Sequence, residues 1–329
     1  MADAYTRLTD SIIPSVYAAY SQEEHVQSLE LFQAGVLYTD PKITAKLSMG
    51  GRSVDMPGWK ALTGEASEPV NDDPADSIEM KKIGTRREVA ARNIRAQAWG
   101  VPDLTAILAG DDPLREVIRI QKDYWQLDAK EMIIAMLQGV VADNIANDSS
   151  DLVLDTNASI TDENIIRAAF KMGDRADKFK VIWLHSDQML ALKLADLIDY
   201  VPSSQQGGVM IPYYMGLRVI TDDDIPVSSN EYTAFMLTEK AIMWNELPVN
   251  TEGGPLEFDR KPRQAHGGGV TEMVARRHMV PHIPGTRWLD ASVAGEFATN
   301  AELALAANWD RTATSRKSMT WVAIKTTEA

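Results

Sequence analysis

The feature that most limits what this chain can become is a single helical pattern over residues 112–146. Asp111-Asp112-Pro113 supplies an N-cap and a proline for the first turn. Leu114, Ile118, Trp125, Met132, Met136 and Val140 then recur at helical spacing. At 1.5 Å per residue such a helix is about 50 Å long, longer than helices of globular domains usually are. Its second half, Met132 to Val141, is apolar nearly all round, and a helix without a polar face has to be surrounded. It therefore reads as a spine on which the other elements pack.

The segments before the spine hold little core of their own. Residues 4–45 read as an arm of two short helices and a connector. Ile12, Ile13, Val16, Tyr17 and Tyr20 share one face, with Pro14 near the start. Ser21 and Glu24 form a capping box for the second helix, which carries Val26, Leu29 and Phe32 and ends at Gly35. Such an arm has to lie on something else, a neighbouring subunit being one choice.

Residues 46–99 read as a long two-stranded hairpin. Gly50-Gly51 opens it, and Met56-Pro57-Gly58-Trp59 leads outward. The tip from Glu65 to Asp76 has five carboxylates and two prolines, a solvated loop by composition. The return limb, Ile83 to Trp99, alternates like a strand. Arg86, Arg87, Arg92 and Arg95 stand there, with Lys81 and Lys82 just before it, against a single Glu88. An isolated two-stranded hairpin is marginal in water, so one this long is expected to lie on a partner. Its acidic tip and basic limb suit head-to-tail contact between identical copies.

After the spine, strand and helix signals alternate over residues 151–250. Thr161 to Met172 reads as a capped helix with Ile165, Ile166, Ala169 and Phe170 inward, and Phe179 to Leu184 as a buried strand. Ser186 is expected to cap a helix through Leu190, Leu194 and Leu197. Tyr213 to Ile220 reads as one strand, followed by the acidic turn Asp222-Asp223-Asp224, and Tyr232 to Leu237 and Ala241 to Trp244 as two more. The last 76 or so residues are β-rich: Leu256 to Asp259, Gly269 to Pro281 and a closing strand from Thr320 to Lys325, with a helical turn between Ala301 and Trp309. There is no internal repeat.

Composition narrows the function. A formal charge of −14 argues against a dedicated nucleic-acid binder, which needs a basic face, without forbidding a local basic patch. With no cysteine, disulfides, thiolate metal sites and cysteine nucleophiles are excluded. The N-terminal sequence has no basic start followed by an apolar run. No stretch reaches the roughly 20 apolar residues of a membrane span. The expected location is the cytoplasm, unless the protein leaves inside a particle.

Catalytic and ligand motifs give weak signals. His266-Gly267-Gly268-Gly269 lacks the spacing of a phosphate-binding loop and reads as a turn. His278 and His282 have zinc-helix spacing, but Pro281 and Pro284 forbid the helix. His185-Ser186-Asp187 gathers three triad residue types, whereas real triads join separated positions. Asp222-Asp223-Asp224 has cation-binding chemistry but reads as a solvated turn. The basic limb, with Trp99 as its single aromatic, offers no stacking ladder for single strands. We expect no catalytic residue, cofactor or metal.

The order of parts resembles the Hong Kong 97-type capsid fold of tailed phages over essentially the whole chain. Local stretches are similar to one branch, the major capsid proteins of the gene-13-product type. These are Ile182-Trp183-Leu184-His185-Ser186, Pro212 to Ile220, Thr299 to Leu303, Asn308-Trp309 and Arg316-Lys317 with the final strand. The resemblance implies an α+β fold with an N-terminal arm (1–45), an extended loop (46–99), a peripheral domain with the spine helix (100–150, completed by 254–329) and an axial α/β domain (151–253). It implies self-assembly into hexamers and pentamers of an icosahedral head around double-stranded DNA, with many weak contacts closing the shell. Many relatives have a helical scaffolding segment before the arm. Here the arm begins almost at once, which implies a separate scaffolding protein or none; a portal and a decoration protein are further expected partners. No crosslinking lysine stands out, and Lys60 reads as solvated. The intersubunit contact candidates are Trp59, Arg86, Arg87, Arg92 and Arg95, with Glu65, Glu68, Asp72 and Asp73 as charge partners. Rival readings are an encapsulin shell of the same fold, a soluble α/β hydrolase or metal enzyme, and a decoration or tail protein.

Overall fold

The structure, a computed structural model, describes residues 34–47, 50–60, 62, 66–70, 72, 77–78, 80–104, 107, 113–202, 210–248, 256–264 and 268–328. The arm helices expected before Gly35 and the cap at Asp111-Asp112 lie outside these residues. In chain order the elements are β1 (Leu37–Tyr38), α1 (Pro41–Leu47), β2 (Ser53–Trp59), β3 (Thr85–Ala91), β4 (Asn93–Pro102), α2 (Pro113–Asn147), β5 (Val153–Asp155), α3 (Asp162–Phe170), β6 (Phe179–Leu184), α4 (Ser186–Leu194) and β7 (Asp199–Pro202). There follow β8 (Met210–Tyr214), β9 (Leu217–Thr221), β10 (Glu231–Thr238), β11 (Ile242–Pro248), β12 (Leu256–Lys261), β13 (Val270–His282), β14 (Thr286–Trp288), α5 (Asn300–Leu303), β15 (Trp309–Arg311) and β16 (Trp321–Thr327).

The spine helix α2 runs 35 residues with Pro113 at its first position. Met132 through Leu137 are all buried, as are Val140 and Val141, while Ile118 in the first half is 43% exposed. Its buried half rests on β4 and β13 on one side and on α5, β15 and the turn Ala306–Asn308 on the other. Arg277 of β13 stacks over Trp125, and Tyr124 meets Trp99 of β4 edge-on at 5.4 Å.

The described strands form three sheets. The seven-stranded sheet has the order β5-β16-β10-β6-β9-β8-β7. Its inner strands are near-continuous apolar runs because both faces are covered. The closing strand β16 lies between β5 and β10, so this sheet crosses the boundary expected at residue 254. The stretch expected as one strand from Tyr213 to Ile220 is instead a tight hairpin. Met215 and Gly216 both have positive φ, 49° and 80°, the geometry of a two-residue turn, and Tyr214 pairs with Leu217.

Two helices turn differently from expectation. On α3 the buried residues are Ile165 and Ala168, with Met172 just after it, while Ile166 and Phe170 are exposed. On α4 Gln188, Met189 and Leu192 face in, and Leu190 and Leu194 face out. The cap of α4 is also one residue earlier: His185 Nδ1 accepts from Asp187 N and Gln188 reciprocates, so Ser186 is the first helical residue.

In the five-stranded sheet, β13 pairs with β4 along ten residues and on its other edge with β12 and then β11. The four-stranded sheet, β15-β14-β3-β2, carries the root of the extended loop.

Candidate assembly interface

The hairpin expected over residues 46–99 is shorter than its sequence suggests. Only β2 and β3 pair with each other, from Ser53 with Ala91 to Trp59 with Thr85. At Arg92 the chain leaves that sheet, and β4 joins β13 in the five-stranded one. The return limb thus belongs half to the loop and half to the body.

This crossing decides where the basic residues sit. Arg92 is buried, its Nε donating to His278 Nε2 at 2.8 Å and its Nη1 to the Gly51 carbonyl at 2.9 Å. His278 must accept in that bond, and burial followed by the Arg92 charge pushes its pKa down to about 4. Arg95 reaches Asp128 of the spine at 2.7 Å and Asn300 of α5. Arg92 is thus held inside the protomer, which corrects its expected place on an intersubunit face, while Arg95 is engaged by its own spine with its side chain 20% exposed. Alternation along the strand could not reveal this, because β3 and β4 read as one strand.

Arg86 and Arg87 remain on the loop. Arg87 pairs with Asp55 across the hairpin at 2.7 Å and is two-thirds exposed. Arg86 pairs with Glu88 at 3.1 Å, and Glu88 in turn meets the buried His282 at 3.1 Å. Burial alone would raise the Glu88 carboxyl, but the His282 hydrogen bond, its charge and that of Arg86 hold it below its ordinary range. His278 and His282, whose zinc-helix spacing the prolines had discounted, anchor the loop root through Arg92 and Glu88. Arg52 adds a third tie, donating to the carbonyls of Gly295 and Glu296 at 2.9 and 3.0 Å.

Lys60 N donates to the Gly84 carbonyl, and no described residue between them is in a strand. Glu68 and Asp72 are exposed there, while Glu65 and Asp73 lie outside the described residues. What the sequence reading passed over is the apolar content beside the tip. Trp59 is 67% exposed, Leu62 81%, Val70 85%, Ile78 69% and Met80 97%, and Ile83 is half exposed. A second exposed apolar group is Ile166 and Phe170 on α3 with Leu190 and Leu194 on α4.

The acidic turn is not simply solvated. Asp222 and Asp224 converge on the buried Lys130 of the spine, with Asp222 at 3.0 Å. Burial opposes the Lys130 charge, but the hydrogen bonds it donates to Asp224 and Asp222 keep its pKa above the ordinary lysine value. This cross-link between spine and seven-stranded sheet joins residues 92 apart and left no mark in the sequence. Among the described residues, no group of three His, Cys, Asp or Glu side chains is arranged to hold a metal ion. No helix among them is long and apolar enough to cross a membrane.

Comparison with solved structures defines the class. The cyanophage Pam1 capsid aligns over 100% of both chains with a TM-score of 0.58 at 11% identity. The Ralstonia phage GP4 capsid aligns over 96% of each with 0.57 at 12% identity. An encapsulin from Synechococcus elongatus aligns over 94% of this chain and 91% of its own with 0.52 at 8% identity. The fold is the Hong Kong 97 type shared by these shells. No family model matches the chain. The major capsid protein of Bacillus phage SPP1 is 31% identical over 316 residues, 94% of each chain. The chain belongs to the major capsid proteins of tailed phages. Its role is structural, and its place is the virion capsid.

Proposed function

We propose that copies of this chain form the hexamers and pentamers of an icosahedral head that encloses double-stranded DNA, and that the loop from Gly50 to Gly84 lies on a neighbouring copy. One observation carries this: six large apolar side chains between Trp59 and Ile83 stand exposed on a loop without a core. Covering each stabilises contact by about 1.5–3 kcal/mol, so several together can hold a shell of acidic subunits against their mutual repulsion. Trp59, Arg86 and Arg87 are the contact residues we assign from the root side, with Glu65, Glu68, Asp72 and Asp73 as charge partners. On this reading residues 1–45 are the arm, the unit of α3, α4 and the seven-stranded sheet is the axial domain, and the spine with its two flanking sheets is the peripheral domain. A portal and a decoration protein complete the head, and the chain performs no catalysis. The encapsulin reading rests on fold alone.

The test is Trp59→Ala with Leu62→Ser and Met80→Ser, beside Arg86→Glu with Arg87→Glu, viewed by negative-stain electron microscopy with the neighbouring genes coexpressed. Both variants should lose closed shells, and the Trp59, Leu62 and Met80 variant should keep the wild-type unfolding midpoint. Normal shells from both at wild-type concentration would refute the loop assignment.

A further inference from the structure

The chain carries a formal charge of −14, yet one rim of its seven-stranded sheet is basic. There β6 and β16 begin and β10 ends. The turn Gly173–Lys178, leading into β6, packs against the turn Arg316–Ser318, leading into β16. Between them opens a cleft of about 410 Å³. Arg175, Lys178, Lys180 and Lys317 line it, against Asp177 and Glu239. Arg175 donates to the Lys317 carbonyl at 3.0 Å and ties the two walls together. Lys317 pairs with Asp174 at the edge. Lys178, Lys180 and Arg316 are exposed and form no ion pair with a described residue. Behind the turn, burial holds Lys171 below the ordinary lysine pKa, against the pull of Asp151, with a smaller push from Arg316.

The opposite rim of the same sheet is acidic, but most of its carboxylates are engaged within the chain, Asp155 and Asp223 being exposed. Asp222 and Asp224 meet Lys130, Glu231 meets Lys325, and Asp187 accepts from the Tyr232 hydroxyl. Glu328 accepts from Ile160 N and the Thr326 hydroxyl. The acidic rim of a second copy is therefore a poor partner for the basic cleft, and an external anion is the better one.

We infer that this cleft binds the phosphate backbone of duplex DNA. The inference rests on the reading above, in which the shell encloses such DNA. The guanidinium of Arg175 and the ammonium groups of Lys178, Lys180 and Lys317 donate to phosphodiester oxygens. No base edge is read, so the contact is independent of sequence. Its strength comes from counterion release and falls steeply with salt.

The test uses the full-length unassembled chain and a fluorescent 20-base-pair duplex, with anisotropy read between 50 and 200 mM KCl. Each phosphate contact contributes a log–log salt slope of about −0.9. The variant Arg175→Gln with Lys178→Gln and Lys180→Gln should lose about 2.7 from that slope and bind at least tenfold more weakly at 50 mM. Its circular-dichroism melt and its shells should match the wild type. Loss of duplex binding by the folded variant supports the inference whatever its shell yield. No binding by the wild type, or unchanged affinity and slope in the variant, overturns it. Loss of shells with unchanged duplex binding also overturns it and makes the cleft a contact between copies. Absence of shells from the wild type itself would count instead against the assembly reading.

Discussion

Replacing Gly139 by alanine is expected to damage this protein, although alanine favours helices. Gly139 lies in the buried half of the spine, where Trp309 crosses it. The indole Nε1 donates to the Leu303 carbonyl at 2.7 Å directly over this position. A Cβ at residue 139 would sit 2.1 Å from that carbonyl oxygen and 2.4 Å from the indole nitrogen. Neither can yield cheaply. The carbonyl is backbone of α5, and Trp309 is 1% exposed with its ring edge-on to Trp288 at 5.0 Å. Alanine contributes about 1 kcal/mol of helix propensity. Overpacking costs about 1–3 kcal/mol, and breaking a buried hydrogen bond about 1–3 kcal/mol more. The balance is a loss of roughly 3 kcal/mol. Urea unfolding followed by tryptophan fluorescence should show a lower midpoint for Gly139→Ala. Gly295→Ala is the control, since its Cβ would meet only Phe297 O at 3.7 Å, and should leave the midpoint in place. A Gly139→Ala midpoint at or above wild type would refute the packing argument.

Lys130→Met removes the cation on which Asp222 and Asp224 converge and leaves Asp222, whose side chain is only 10% exposed, without it. Breaking a buried pair by one partner costs about 3–5 kcal/mol, and Asp222→Asn with Asp224→Asn in the Lys130→Met background should restore much of it; equal urea midpoints for Lys130→Met and wild type would refute the pairing. Two buried groups should give opposite pH dependences. The His278 pKa falls to about 4 from 6.5, so between those values the unfolded chain binds more protons and this group makes stability rise with pH. Asp143, buried on the spine and next to Asp148 and Asp310, is raised by burial to about 6 from 3.8, so over that window the folded chain binds more protons and stability falls as pH rises. The two slopes offset each other in the wild type; His278→Gln should make stability fall from pH 4 to 6, and Asp143→Asn should make it rise. Parallel pH profiles for the two variants would refute both assignments.

The sequence disclosed those parts whose signal is local. The spine was legible because ten consecutive residues without a polar face fit little else, and the loop because it combines charge, proline and glycine without a core. The outward apolar faces of α3 and α4 were misread for a physical reason. Ile165 and Ile166 are adjacent, and each starts a plausible apolar row, so helical spacing alone cannot say which row meets the sheet. The hairpin at Met215-Gly216 was hidden because methionine seldom occupies a left-handed turn position. The contacts that fix the loop join residues 186 apart, Arg92 with His278, and 194 apart, Glu88 with His282. No pattern within a window of 18 residues can register them.

Those same long-range contacts explain how the loop can serve assembly. Its root is tied to the body three times: Arg92 to His278 and Gly51, Glu88 to His282, and Arg52 to the carbonyls of Gly295 and Glu296. Asn93, where β3 gives way to β4, is fully buried, so the crossing between sheets is clamped at its centre. The direction in which the loop leaves the subunit is therefore set by the chain itself, before any partner arrives. Past Trp59 and before Gly84, the described apolar side chains Leu62, Val70, Ile78, Met80 and Ile83 are exposed. On the proposed reading, the entropy of placing the paired root, Ser53–Trp59 with Thr85–Ala91, has already been met in folding when a neighbour is bound. A root fixed in this way then lets every copy present the exposed side chains beyond it in one repeated geometry.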